Sequence, residues 1–182
     1  PYTTLFRSRS VLNVKNRSFD LIARIDVPDG GARGVIVCQG GSFNGWSLYL
    51  DEAGQPSFHY NLYGHQRTTV AGPESLASGG RTVRLLFDYD GGFGNGATIT
   101  LGVDGVVVAD GRIERSVPVV FSAGGETFDV GVDTGSPVGP YPHRFPCTAT
   151  IHDVTVEVLG EVDEKTRAAV AAGRFRAEMT SQ

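Results

Sequence analysis

The chain has 182 residues and a formal net charge of −4. No stripe of Lys or Arg runs through it, so nucleic-acid binding is not expected. No run of about 18 apolar residues occurs, so no membrane-spanning helix is expected either. The 25 glycines and 9 prolines are dispersed as punctuation, the pattern of many short strands and turns.

Pro1 to Ser8 does not lead into the pattern that begins near Val11. Residues 1–10 read as a leader foreign to the domain, resembling translated adapter sequence at the edge of a gene fragment. Residues 11–160 read as a β-sandwich and 161–182 as a C-terminal helical tail. The compartment cannot be read from this stretch.

In Ser18 to Val27, Phe19, Leu21, Ala23, Ile25 and Val27 alternate with Asp20, Arg24 and Asp26, the period of a half-buried strand. Pro28-Asp29-Gly30-Gly31 is a turn cluster. Gly34 to Gln39 is a continuous apolar run, expected of a strand covered on both faces.

The stretch from Gly40 to Gly64 organises the rest. Trp46, Leu48 and Leu50 alternate with polar neighbours, and Phe58, Tyr60 and Leu62 do the same after the polar connection Asp51 to Pro56. This predicts a hairpin with a longer loop, in which Trp46 and Tyr60 anchor the core and each needs a partner for its polar atom. Gly64 to Val70 reads as a further strand with a polar face.

Arg81 to Asp90 is a strong strand, with Val83, Leu85 and Phe87 on one side and Leu86 and Tyr89 expected on the other. Asp104-Gly105 between two apolar runs predicts a type I′ hairpin turn. Gly111 to Val117, Val119 to Ser122 and Thr127 to Val132 supply further strands. Thr148 to Leu159 is another, with an irregularity at His152-Asp153 that suggests a bulge. About eleven or twelve short antiparallel strands result, the signature of an all-β sandwich. Val162 to Met179 carries a narrow small-residue stripe at helical spacing, the expected C-terminal helix.

Chemistry is sparse. Cys38 and Cys147 have neither zinc-site neighbours nor a C-x-x-C spacing, and buried free thiols are the reading preferred over a disulfide. Asp88 to Gly96 looks superficially like a calcium loop, but Ile99 stands where a bidentate Glu belongs, so a strand end with a glycine loop is expected. Asp129 and Asp133 suit turn-capping carboxylates, with a cation site as the alternative. His59, His65, His143 and His152 lack ligand spacing on one strand face, although His59 and His65 stand close enough in sequence to converge across a turn. Asp153 and Glu157 are the nearest approach to a glycosidase carboxylate pair, and no Gly-x-Ser-x-Gly elbow occurs. The candidate binding or interface residues are Trp46, Tyr60, Asn61, His65 and Arg67. The last three are placed to form an Asn–His–Arg cluster at one sandwich edge. Tyr49, Tyr63 and Tyr89 are the candidates for an exposed sugar-binding platform.

Several strings recur together in one order. They include Val14 to Phe19, Ile25 to Ala32, Gln39-Gly40-Gly41, Gly45 to Tyr49, His65 to Val70, Phe87 to Gly92 and Thr127 to Val138. Across residues 13 to 160 the chain resembles the C-terminal β-sandwich of bacterial arylsulfatase-type enzymes. That resemblance implies a concanavalin-type jelly roll packed on an α/β catalytic domain of the same polypeptide, with homo-oligomerisation possible. It further implies a parent enzyme that needs formylglycine and a divalent cation. Cys38 is followed by Gln-Gly-Gly and Cys147 by Thr-Ala-Thr, so the Cys/Ser-x-Pro-Ser-Arg motif is missing, and neither catalytic residues nor a cofactor are expected in this chain. The expected function is an accessory domain of a sulfuric ester hydrolase, and the alternative is a stand-alone, lectin-like carbohydrate-binding module.

Overall fold

The computed structural model describes residues 12–122 and 127–159. Ten strands are present among the described residues: β1 (Phe19–Val27), β2 (Gly34–Gly40), β3 (Gly45–Leu50), β4 (Pro56–Leu62), β5 (Gln66–Ala71), β6 (Gly79–Tyr89), β7 (Ala97–Val103), β8 (Val106–Ile113), β9 (Phe128–Val130) and β10 (Thr150–Val158). They form two antiparallel five-stranded sheets, ordered β10-β1-β6-β7-β8 and β5-β4-β3-β2-β9. The protein is an all-β sandwich.

Ten strands replace the eleven or twelve expected because β8 runs on to Ile113, absorbing the start of the strand expected from Gly111, and because Val119 to Ser122 is not a strand. The expected C-terminal helix is not borne out. No helix occurs among the described residues, and the segment from Val162 to Met179 lies outside them.

The alternation sets the core. Phe19, Leu21, Ala23 and Ile25 from β1 face Trp46, Leu48 and Leu50 from β3 and Phe58 and Tyr60 from β4. Phe19 stacks on Phe87 at 4.8 Å, and Trp46 lies 5.5 Å from Phe19. The polar atoms of the two anchors are matched: Trp46 Nε1 donates to Gln39 Oε1 at 3.2 Å, and the Tyr60 hydroxyl accepts from the Val117 amide at 2.8 Å. Tyr89, expected outside with Leu86, follows Phe87 by two residues and belongs to the same inner face.

Two local expectations hold at the level of single residues. Asp104 and Gly105 both take positive φ, as a type I′ turn requires. Arg24 pairs with Asp153 and Ile25 with Ile151, so His152 is the extra residue of a bulge on β10.

The second sheet is covered on its outside as well, which explains the unbroken apolar run of β2. Val138, Tyr141 and Phe145 close over Val35, Cys38 and Tyr49 in a separate apolar cluster. Tyr141 meets Tyr49 edge-on at 5.1 Å and stacks on Phe145 at 5.9 Å. The Val35 amide donates to the Phe145 carbonyl at 3.0 Å, which ties this cover to the strand.

Candidate functional site

At one end of the second sheet two connections meet: Gly41 to Asn44 between β2 and β3, and Tyr63 to His65 between β4 and β5. The β4–β5 turn is closed by the His65 amide donating to the Leu62 carbonyl, with both central residues, Tyr63 and Gly64, at positive φ. Gly64 suits that geometry; Tyr63 at φ 55° is an unusual occupant, since a bulky side chain there is strained.

Side-chain amides brace the two connections. The Tyr63 amide donates to Asn44 Oδ1 at 2.7 Å, and Asn61 Nδ2 donates to the Ser42 carbonyl at 2.7 Å. The Gly64 amide lies 2.7 Å from the Phe43 carbonyl and 3.0 Å from Asn61 Oδ1. Asn44 Nδ2 reaches the Val120 carbonyl at 3.3 Å, and the Ser42 amide donates to Ser136 Oγ at 3.0 Å. Asn44 and Asn61 are buried, so their hydrogen bonds are shielded from competing water.

This bracing holds two aromatic rings out into solvent. Phe43 is 61% exposed and Tyr63 47%, and their ring centroids lie 5.6 Å apart. An apolar pair is thereby left exposed at the tip of two braced connections. His65, Gln66 and Arg67 follow directly and are exposed. Arg67 pairs in register with Asn61 and makes no ion pair among the described residues.

The other candidates fall into two groups. Asn61 and Arg67 are register partners across β4 and β5, with Asn61 a buried strut rather than a surface donor, and His65 lies in the turn between the strands. Trp46 and Tyr60 lie in the sandwich core, 0% and 3% exposed. Of the three tyrosines considered for a platform, Tyr49 lies under Tyr141, and Tyr89 is buried with its hydroxyl tied to Asn16 and the Gly92 carbonyl. Only Tyr63 is exposed. Its partner Phe43 was missed because it sits in a loop with no alternation to mark it. The signal available was an aromatic residue flanked by Ser42 and Asn44 between two strands.

Behind the lip, the outer face of the second sheet carries a row of polar side chains in cross-strand register: Asp129, Cys38, Ser47, His59 and Thr69. His59 Nδ1 lies 2.8 Å from Thr69 Oγ1, and burial first, then the Arg67 charge, lowers the His59 pKa to about 4. The ring is therefore neutral at neutral pH. Ser47 Oγ and His59 Nε2 make no hydrogen bond with each other, so this pair lacks the nucleophile–base contact of a hydrolase. Among the described residues, neither His59 nor His65 belongs to a group of three or more potential metal ligands.

Four of the acidic residues singled out above have structural partners. Asp153 accepts from Arg24 Nε at 2.8 Å, and Asp90, at the mouth of the glycine loop, is gripped by Arg112. Asp129 accepts from the Thr134 amide and hydroxyl; Asp133 accepts from the Gly135 and Val138 amides and the Tyr141 hydroxyl. Turn capping thus holds for both. Cys38 and Cys147 are free thiols. A cleft of about 260 Å³ opens at the opposite end of the sandwich, where Arg81 and Asp104 in its wall pair with each other at 3.0 Å.

No protein-family model matches the sequence, and no curated protein matches it. Solved structures do match. The CBM40 domain of Ruminococcus gnavus IT-sialidase is 14% identical, with a TM-score of 0.56 over 86% of this chain and 83% of that one. The LG4-5 domains of the mouse laminin α1 chain are 16% identical, with a TM-score of 0.55 over 88% of this chain and 42% of that one. A structure of NanB with Optactamide gives a TM-score of 0.65 at 13% identity, over 92% of this chain and 26% of that one. The chain has a lectin-like jelly-roll fold. These neighbours include a carbohydrate-binding module and laminin G domains, and no sulfatase domain is among them. The resemblance to an arylsulfatase C-terminal domain is thereby corrected: its jelly-roll architecture stands, but the family does not. The shared strings lie mostly at turns and strand ends, such as Asp-Gly-Gly and Gly-Ser-Pro, which many sandwiches need for the same backbone reasons.

Proposed function

We propose that this protein is a lectin-like carbohydrate-binding module whose ligand rests on the Phe43–Tyr63 lip. The observation that carries the reading is the pair of exposed rings, 5.6 Å apart, on connections braced by buried Asn44 and Asn61. A pyranose ring has one face dominated by C–H groups, which complements the electron-rich face of an aromatic ring. Its hydroxyls need donors and acceptors at the rim, and His65, Gln66 and Arg67 stand there in solvent. The strained φ of Tyr63 fits a side chain retained for contact rather than for folding. The fold supports the reading, since the similar CBM40 domain is also seen bound to α2,3-sialyllactose.

Affinity electrophoresis through gels containing different soluble polysaccharides tests it. Retardation by at least one glycan is expected, with mobility restored in Phe43→Ala and Tyr63→Ala. Equal retardation of the wild-type chain and both variants would exclude the lip as the binding surface.

A further inference from the structure

A second cluster lies on the outer face of the second sheet, apart from the lip. Single ligand atoms of Cys38, Asp129 and Asp133 lie within 4.8 Å of one another, and all three residues are buried. Cys38 is on β2 and Asp129 opposite it on β9; Asp133 begins the segment that covers the sheet. The charged groups acting on Cys38 are Asp133 and Asp129, and on Asp133 it is Asp129; none of them is basic. Two buried carboxylates beside a thiol repel one another, and the five hydrogen bonds they accept offset only part of their desolvation.

Turn capping does not use up their capacity. Asp129 Oδ2 takes both contacts from Thr134, while Asp129 Oδ1 is buried with no partner. Asp133 Oδ1 accepts one amide, from Gly135 at 3.2 Å, and keeps a lone pair. Ser47, opposite Cys38 across the β2–β3 ladder, adds a buried hydroxyl on the same face, beside Tyr141. The orphaned carboxylate oxygen of Asp129 calls for an explanation, and a bound ion supplies one.

We propose that Cys38, Asp129 and Asp133 form a structural site for a thiophilic divalent cation of the zinc class, which fastens the cover bearing Val138, Tyr141 and Phe145 to the sheet. A thiolate with carboxylates suits zinc better than calcium, which takes oxygen ligands alone. On binding, the thiol proton of Cys38 leaves to solvent and a sulfur–metal bond replaces the S–H bond. Two carboxylates and a thiolate then surround the dipositive ion, and water completes its coordination.

The test uses the full chain, stripped with chelator and reloaded with zinc or cobalt(II). Elemental analysis is expected to give one zinc per chain, cobalt to show a thiolate charge-transfer band, and chelation to lower the melting temperature by several degrees. Cys38→Ala and Asp129→Asn lose the metal, and Cys147→Ala keeps it. If Cys38→Ala fails to fold, the wild-type cobalt spectrum and Asp129→Asn decide. Less than one equivalent of metal, no thiolate band, or zinc retained by Cys38→Ala or Asp129→Asn would overturn the site.

Discussion

Tyr63→Asn separates folding from binding at the lip. Tyr63 holds φ 55°, a conformation that costs a bulky residue about 1–2 kcal/mol and that Asn adopts readily. Against that relief stands the lost contact with Phe43. An aromatic pair contributes about 0.5–1.5 kcal/mol, and the low end applies because the two rings are 61% and 47% exposed. The brace survives, because the Tyr63 hydrogen bond to Asn44 is made by the backbone amide. The net change is about 0.5–1.5 kcal/mol of added stability, an upward shift of about 0.2–0.8 M in the urea midpoint for a slope of about 2 kcal/mol/M. Glycan affinity falls about tenfold or more, since the stacking surface is gone. Urea denaturation and calorimetric titration on one preparation read both numbers. A loss of more than about 2 kcal/mol of stability with glycan affinity intact would refute the reasoning and make the ring structural.

Three further outcomes follow from the sandwich itself. Trp46→Ala removes the largest fully buried side chain and orphans Gln39 Oε1, so a loss of about 3–5 kcal/mol is expected by chemical denaturation. Arg84→Met removes the guanidinium that grips Asp20 at 2.9 and 2.7 Å, with both residues buried. The single change is expected to cost about 3–5 kcal/mol, and adding Asp20→Leu to recover part of it in thermal melts. His59 has a folded pKa near 4 against 6.5 in the unfolded chain, so the unfolded state takes up the proton first as pH falls. Stability is full above pH 6.5 and declines towards pH 4, by up to about 3 kcal/mol. Denaturation at pH 7.0 and 4.5 is expected to show the decline, and His59→Gln to lessen it.

The sandwich was legible wherever a strand buries one face, because the period of two writes itself into the residues. β1, β3, β4 and the Asp104-Gly105 turn follow directly, and even the His152 bulge left its mark as a break in alternation. Legibility failed where burial is two-sided or absent. Tyr49 looks outward by parity yet is covered by Tyr141, a contact across more than ninety residues that no local pattern encodes. The site was half legible for the same reason. Asn61, His65 and Arg67 lie close together in the sequence, whereas Phe43 meets Tyr63 only because two separate hairpins end at the same edge. Cys38 meets Asp129 through the β2–β9 pairing alone. The sulfatase resemblance failed because turn-forming strings report backbone geometry, which unrelated sandwiches share.

The lip as a glycan surface is tested most directly by titrating the labelled chain with the glycan that retards it and following backbone and ring resonances. The account predicts shifts confined to Phe43, Asn44, Tyr63, His65, Gln66 and Arg67 and saturating together. Shifts centred on the Arg81–Asp104 cleft instead, with the lip unmoved, would contradict it.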